Sequence, residues 1–245
     1  MNDFIDLPPE ADPFIAKKWN KLLRRARLFT FIPFIEIVFV AGSMAMGTAG
    51  KDSDFDVIVG VRTGRIFTVR AFCVLFFGLL GWRRRNYSHY VRDKFCFSHF
   101  IAPEKYSLSG PYNEYWKKLY LSLVPIYGNS KQIQKFYDAN AGWTGCRRHS
   151  ALACPAMAVD AESRIKDWIP VFAGMTKNPI TKIKEKILSG KLGNFLEKCL
   201  KNIQIKKIEK SLKTVKQYKP RNIFNDSELE FHPDTKRAEE FYFKP

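Results

Sequence analysis

Along this chain the spacing of apolar residues shifts repeatedly between helical and strand periods. From 13 to 29, Phe14, Ile15, Trp19, Leu22, Leu23 and Leu28 recur at helical spacing among basic residues. That pattern predicts an amphipathic helix, broken at 31–33. Ile35–Val40 is β-branched and aromatic apart from Glu36, which predicts a buried strand. The stretch 42–50 is small and glycine-rich and predicts a turn with at most one helical turn. Phe55–Val61 predicts a second strand, 64 to about 80 a helix, and 94–101 a third strand ended by Pro103. Two further helices are predicted near 113–123 and 131–139. This order is that of an α/β (α+β) fold, a small mixed β-sheet flanked by helices.

Residues 143–179 break the periodicity. They hold Cys146 and Cys154 and are interrupted by Pro155, Pro170, Gly174 and Pro179. A structureless loop of that length is unusual inside a compact domain. Part of it, DAESRIKDWIPVFAGMTKN at 160–178, resembles peptides translated from interspersed repeats of bacterial genomes, with a core like IPAFAGMT. The resemblance implies an irregular in-frame insertion. A functional lid or interdomain loop is the other reading. Helical spacing returns after Pro179 through Leu192, Leu196, Cys199, Leu200, Ile203, Ile208, Leu212 and Val215. The tail from Tyr218 reads as polar and irregular. The chain thus divides into a core at 1–142, an insertion at 143–179 and a basic helical C-terminal extension at 180–245.

Charge adds to this picture. The 245 residues carry a formal net charge of +17. Fourteen Lys and Arg against three Glu lie between Lys177 and Arg221, so 14 − 3 = +11 sits there. That excess is either a solvated helix face or a surface for a polyanion such as nucleic acid. Five cysteines with no CxxC pair predict neither a disulfide framework nor a zinc site and suit a reducing, cytoplasmic setting. The apolar stretch 66–82 is interrupted by Arg70, so no membrane span is expected there.

The chemistry concentrates in VFVAGSMAMGTAGKDSDFDVIVGV, residues 38–61. One strand delivers Gly42 and Ser43, and the next begins at Asp54-Phe55-Asp56. Residues i and i+2 of a strand share a face, so Asp54 and Asp56 converge while Phe55 points to the core. Two convergent carboxylates suit a hard divalent cation, above all Mg²⁺. Gly42 permits close approach of backbone to phosphate, and Ser43 offers a hydroxyl and an N–H at the start of a helical turn.

This spacing, Gly42-Ser43, Gly47, then Asp54-x-Asp56 before apolar residues, resembles the motif of the DNA polymerase β-like nucleotidyltransferases. It is especially similar to small bacterial nucleotidyltransferase-domain proteins. The resemblance implies a nucleotidyltransferase core, NTP as donor, Mg²⁺ held by Asp54 and Asp56, and Gly42 and Ser43 at the donor's phosphates. It implies transfer of NMP to an acceptor hydroxyl on a small molecule, RNA or a protein. The superfamily usually carries a third carboxylate on a later strand. Asp93, at the start of the third strand, takes that place as a catalytic residue or is a cap or ion-pair partner. His99 reads as a base or as a packed strand residue, and Lys51 and Arg83–Arg85 as phosphate-steering or solvated. A catalytically degenerate nucleotide- or nucleic-acid-binding module is the alternative.

Overall fold

In the computed structural model the described residues are 13–85, 91–108, 113–145, 178–214 and 221–232. Helix α1 (Pro13–Ala26) continues as a 3-10 turn over Arg27–Phe31. Strand β1 (Ile35–Val40) follows, then the single turn α2 (Gly42–Ala45) and strand β2 (Phe55–Val61). Helix α3 (Ile66–Leu79) leads to β3 (Phe95–Ile101), α4 (Glu114–Leu121), β4 (Val124–Gly128) and α5 (Ser130–Thr144). Helices α6 (Pro179–Leu188) and α7 (Lys191–Thr214) precede β5 (Arg221–Phe224) and β6 (Glu228–His232).

The strands form one mixed sheet in the order β4-β1-β2-β3-β6-β5. Among the described strands β2 and β3 pair in parallel, joined by the α3 crossover, and the other strand pairs are antiparallel. Apolar side chains leave both faces of β1. Val38 and Val40 join a core with α1 and α3, rich in Phe29, Phe55, Phe77 and Phe95. Ile37 and Phe39 join a second core with Trp116 and Leu119 of α4 and Ile133 and Phe136 of α5. Burial on both sides is why β1 reads as an unbroken apolar run. The fold is therefore a mixed α/β architecture with helices on both faces of the sheet.

Two expectations change in the C-terminal part. The tail from Tyr218 is not irregular throughout, because 221–232 contributes the β5–β6 hairpin, and β6 pairs with β3. Its turn is set by Asn225, whose Oδ1 accepts from the N–H groups of Ser227 (2.9 Å) and Glu228 (2.8 Å). The face of α7 also differs from the predicted one. Of the predicted face, Ile208 is buried and Leu200 packs against the core, but Leu192 and Ile203 are exposed and Gln204 is buried. Polar contacts dock this helix: Glu197 accepts from Phe67 N and Thr68 N, both at 2.8 Å. It thereby caps α3, which has no side-chain cap of its own. Gln204 accepts from Arg70 (2.6 Å) and donates to Phe67 O (2.8 Å). The basic C-terminal stretch is thus built into the same sheet and core as the N-terminal elements. Of the predicted irregular insertion at 143–179, residues 146–177 lie outside the described residues, while its edges are ordered: Trp143 and Thr144 end α5, and Asn178 caps α6, which starts at Pro179. Strand β4, five buried residues between two helices, was not predicted.

Among the described residues no helix is long and apolar enough to cross a membrane. Helix α3 has 14 residues, about 21 Å, against a hydrocarbon layer of about 30 Å.

Asp93 ties the N-terminal half together. Its carboxylate accepts from Lys18 (2.7 Å) and Lys21 (2.6 Å) of α1, and its N–H donates to Ser53 O (3.1 Å). Lys18 also donates to Ser53 O (2.9 Å). Asp93 is buried and sits in the left-handed region at φ +57°. Burial alone raises its pKa, but hydrogen bonds from Lys18 and Lys21 outweigh that and hold it below the ordinary carboxylate value. Asn tolerates the same backbone, so Asp93→Asn removes the charge and one of the two acceptor oxygens that meet Lys18 and Lys21, without straining the chain. Its unfolding free energy at pH 7, from urea titration, should fall by about 3 kcal/mol, the usual cost of breaking a buried pair. A lowered native pKa gives stability that is complete above the unfolded value, about 3.9, and lost as pH falls through the native value. The gap between wild type and variant should therefore narrow below about pH 4; a variant as stable as wild type at pH 7 would contradict the assignment.

Candidate metal and phosphate site

The site begins where β1 ends. Ala41 N donates to Asp56 O (2.9 Å), which carries the β1–β2 ladder to its last rung. The chain then turns at Gly42, whose φ is +62°. A Cβ at Gly42 would overlap the Asp56 carboxylate, so glycine is required by both its backbone and its neighbour. Ser43 follows within α2, and Thr48 N donates to Ser43 O (2.9 Å), closing the small-residue loop.

Across that loop the chain re-enters the sheet through a tight turn. Gly50 N donates to Ser53 Oγ (2.9 Å), and Phe55 N donates to Lys94 O (2.9 Å). Phe55 is buried, its ring 5.5 Å from that of Phe95. Asp54 and Asp56 therefore project to the opposite face, as their spacing predicts.

The third member of this group is Cys96. One carboxylate oxygen each from Asp54 and Asp56 and the Cys96 sulfur lie within 4.8 Å of one another, a set able to hold a metal ion. Cys96 is directly opposite Asp56 in the parallel β2–β3 register. Burial first, then the Asp56 and Asp54 carboxylates, push its thiol well above the usual range, so it keeps its proton at neutral pH.

Compared with known proteins, the chain matches no family model and no curated protein.

Asp93 does not join Asp54 and Asp56. Its carboxylate is engaged by Lys18 and Lys21 in the core of the turn, and the group around the pair contains Cys96 in its place. The ion-pair reading of Asp93 is the one the geometry bears out. Asp93 acts on the pair indirectly, by holding Ser53, the residue before Asp54. Lys51 is exposed, and its carbonyl accepts from Lys18 (3.4 Å).

Of the basic run, Arg84 reaches the site. Its Nη1 lies 2.6 Å from Asp54 Oδ2. Burial works against the Arg84 charge, yet Asp54 holds its pKa above the ordinary value. The guanidinium thus stands beside the carboxylates where a cation would compete with it. Sequence spacing gave no sign of this contact, because Arg84 comes from the segment leading into β3, thirty residues away. Cys96 carried a faint signal: it alternates with Phe95 and Phe97, both packed on the other face.

Two outcomes follow. Arg84→Ala frees Asp54, so titration of Mn²⁺ followed by electron paramagnetic resonance should show about 5-fold tighter binding, equivalent to the roughly 1 kcal/mol of a partly exposed pair. Weaker or unchanged binding would contradict competition. Gly42→Ala should lose at least about 1 kcal/mol of stability from its left-handed backbone alone. It should also weaken Mn²⁺ binding through the displaced Asp56; a variant with wild-type affinity would show that the Gly42–Asp56 contact is unimportant.

Proposed function

We propose that this protein is a Mg²⁺-dependent nucleotidyltransferase of the DNA polymerase β-like superfamily, transferring NMP from NTP to an acceptor hydroxyl. The observation that carries the reading is the convergence of Asp54 and Asp56 beside the backbone of Gly42, with the carboxylates and Cys96 within 4.8 Å. The two carboxylates from one strand end suit Mg²⁺, a hard cation that takes oxygen ligands and commonly fills its other positions with water and substrate oxygens. Bound there, Mg²⁺ supplies neutralisation of triphosphate charge and stabilisation of the leaving oxygen.

The chain's own residues do the rest. Asp54 and Asp56 hold the cation and orient the donor. Gly42, with no side chain, lets a phosphate approach the turn, and Ser43 contributes its hydroxyl and N–H. Arg84, paired with Asp54, would be displaced from it by a bound cation and would then have its charge available to the polyphosphate. The acceptor hydroxyl gives up its proton to solvent as its oxygen bonds to the α-phosphorus, the bond from that phosphorus to the α–β bridging oxygen breaks, and pyrophosphate leaves with the electron pair. The +11 stretch from Lys177 to Arg221 favours an anionic acceptor such as RNA over a neutral one.

A second reading has its own support. The position facing Asp56 holds the Cys96 thiol rather than a carboxylate, which favours a module that binds nucleotide without turnover. Release of pyrophosphate from each NTP, with RNA or protein as acceptor, separates the two. The transferase reading expects Mg²⁺-dependent release that falls more than about 100-fold in Asp54→Asn and Asp56→Asn, since even partners of metal ligands are worth about 10–100-fold. Release that persists in both variants would sink it. Nucleotide binding with no release from any acceptor would leave the binding module.

A further inference from the structure

A second polar cluster lies further along β3, with no part in the reading above. His99 of β3 and Glu228 and Glu230 of β6 each offer one ligating atom, and these atoms lie within 4.8 Å of one another. The sheet register makes the group: His99 is directly opposite Glu230, and Ile101 opposite Glu228. All three residues are buried, at 4%, 2% and 0% exposure. Buried ionisable groups normally meet a full set of partners, because an unpaired one costs several kcal/mol. Here His99 Nε2 and Glu228 Oε1 are both buried without a hydrogen bond. They face each other at 3.5 Å.

That separation has a natural explanation. Two ligands of a tetrahedral ion at about 2.1 Å are about 3.4 Å apart. A cation between the two atoms would satisfy both lone pairs and neutralise two carboxylates in a low-dielectric setting. One imidazole with two carboxylates is a nitrogen–oxygen set that suits a first-row divalent ion such as Zn²⁺ better than Mg²⁺.

A β-bulge puts His99 on this face. Between Asp56 and Ile58 of β2 lies one residue; between their partners Cys96 and His99 lie two. Without the extra residue, Cys96 and His99 would point to opposite faces. The Phe side chains record the same shift, with Phe95, Phe97 and Phe100 all packed in the other core.

We infer that His99, Glu228 and Glu230 form a structural metal site for Zn²⁺ or a similar divalent transition metal, fastening β6 to β3. The site is distinct from Asp54, Asp56 and Cys96, so it stands or falls independently of the transferase reading. Because all three ligands are buried, its role is to hold the hairpin in the sheet rather than to meet substrate.

The test uses the untagged full-length Asp54→Asn, Asp56→Asn, Cys96→Ser variant, which disables the first site. After EDTA treatment and dialysis it is titrated with Zn²⁺, and bound metal is measured by mass spectrometry. One Zn²⁺ per chain is expected, raising Tm by about 5 °C or more at saturating metal. Adding His99→Ala or Glu228→Gln should abolish both the bound ion and the Tm rise. Should those substitutions unfold the protein, Co²⁺ added to the parent variant reports instead: visible bands of a four- or five-coordinate nitrogen–oxygen site support the assignment. Absence of bound metal in the parent, an octahedral Co²⁺ spectrum, or Zn²⁺ binding that survives His99→Ala and Glu228→Gln would overturn it.

Discussion

The arrangement of the candidate site depends on one buried ion pair. Lys18 and Asp93 join α1, the turn before β2 and the turn before β3 at a single point. Backbone contacts reinforce the pair: Lys18 donates to the carbonyl of Ser53, and the backbone N–H of Asp93 donates to the same carbonyl. Arg25 adds a further donor to the Asp93 carbonyl. A buried pair of this kind contributes little over an apolar replacement, but losing one partner strands a charge. Its value is positional. Ser53 is fixed, Asp54 follows it, and the start of β2 is registered against β3 by Phe55 N to Lys94 O.

From that anchor the face of the sheet divides into two polar zones. Asp54, Asp56 and Cys96 gather at the mouth of the β2–β3 pair, against Gly42. The bulge at Phe97 and Ser98 then lets His99 point to the same face, where β6 meets it with two buried glutamates. The opposite face takes the phenylalanines and carries the larger core. Division of labour across one sheet is thus set by a one-residue register shift in β3.

The legible parts of the sequence were those governed by local rules. Both central strands were marked by continuous apolar runs, the Gly42 turn by its small residues, and the shared face of Asp54 and Asp56 by their spacing of two. What was not legible depends on distant partners. Asp93 is 75 residues from Lys18, so no local pattern distinguishes its ion pair from a metal-binding role. Strand β4 is a short run around Pro125 between two helices. The β5–β6 hairpin alternates glutamate with apolar residues, which reads as a solvated segment, yet Glu228 and Glu230 are buried. The α7 face was read only in part: Leu200 and Ile208 pack inward as expected, but polar residues, Glu197 and Gln204, add docking contacts that an apolar pattern does not show.

The most direct test of the central claim is calorimetric titration of each NTP into the wild-type protein and into Asp54→Asn, Asp56→Asn, with and without Mg²⁺. The account predicts heat of binding for wild type only in the presence of Mg²⁺, and none for the double variant. Binding that is indifferent to Mg²⁺, or that survives loss of both aspartates, would show that the two carboxylates are not a nucleotide-metal site.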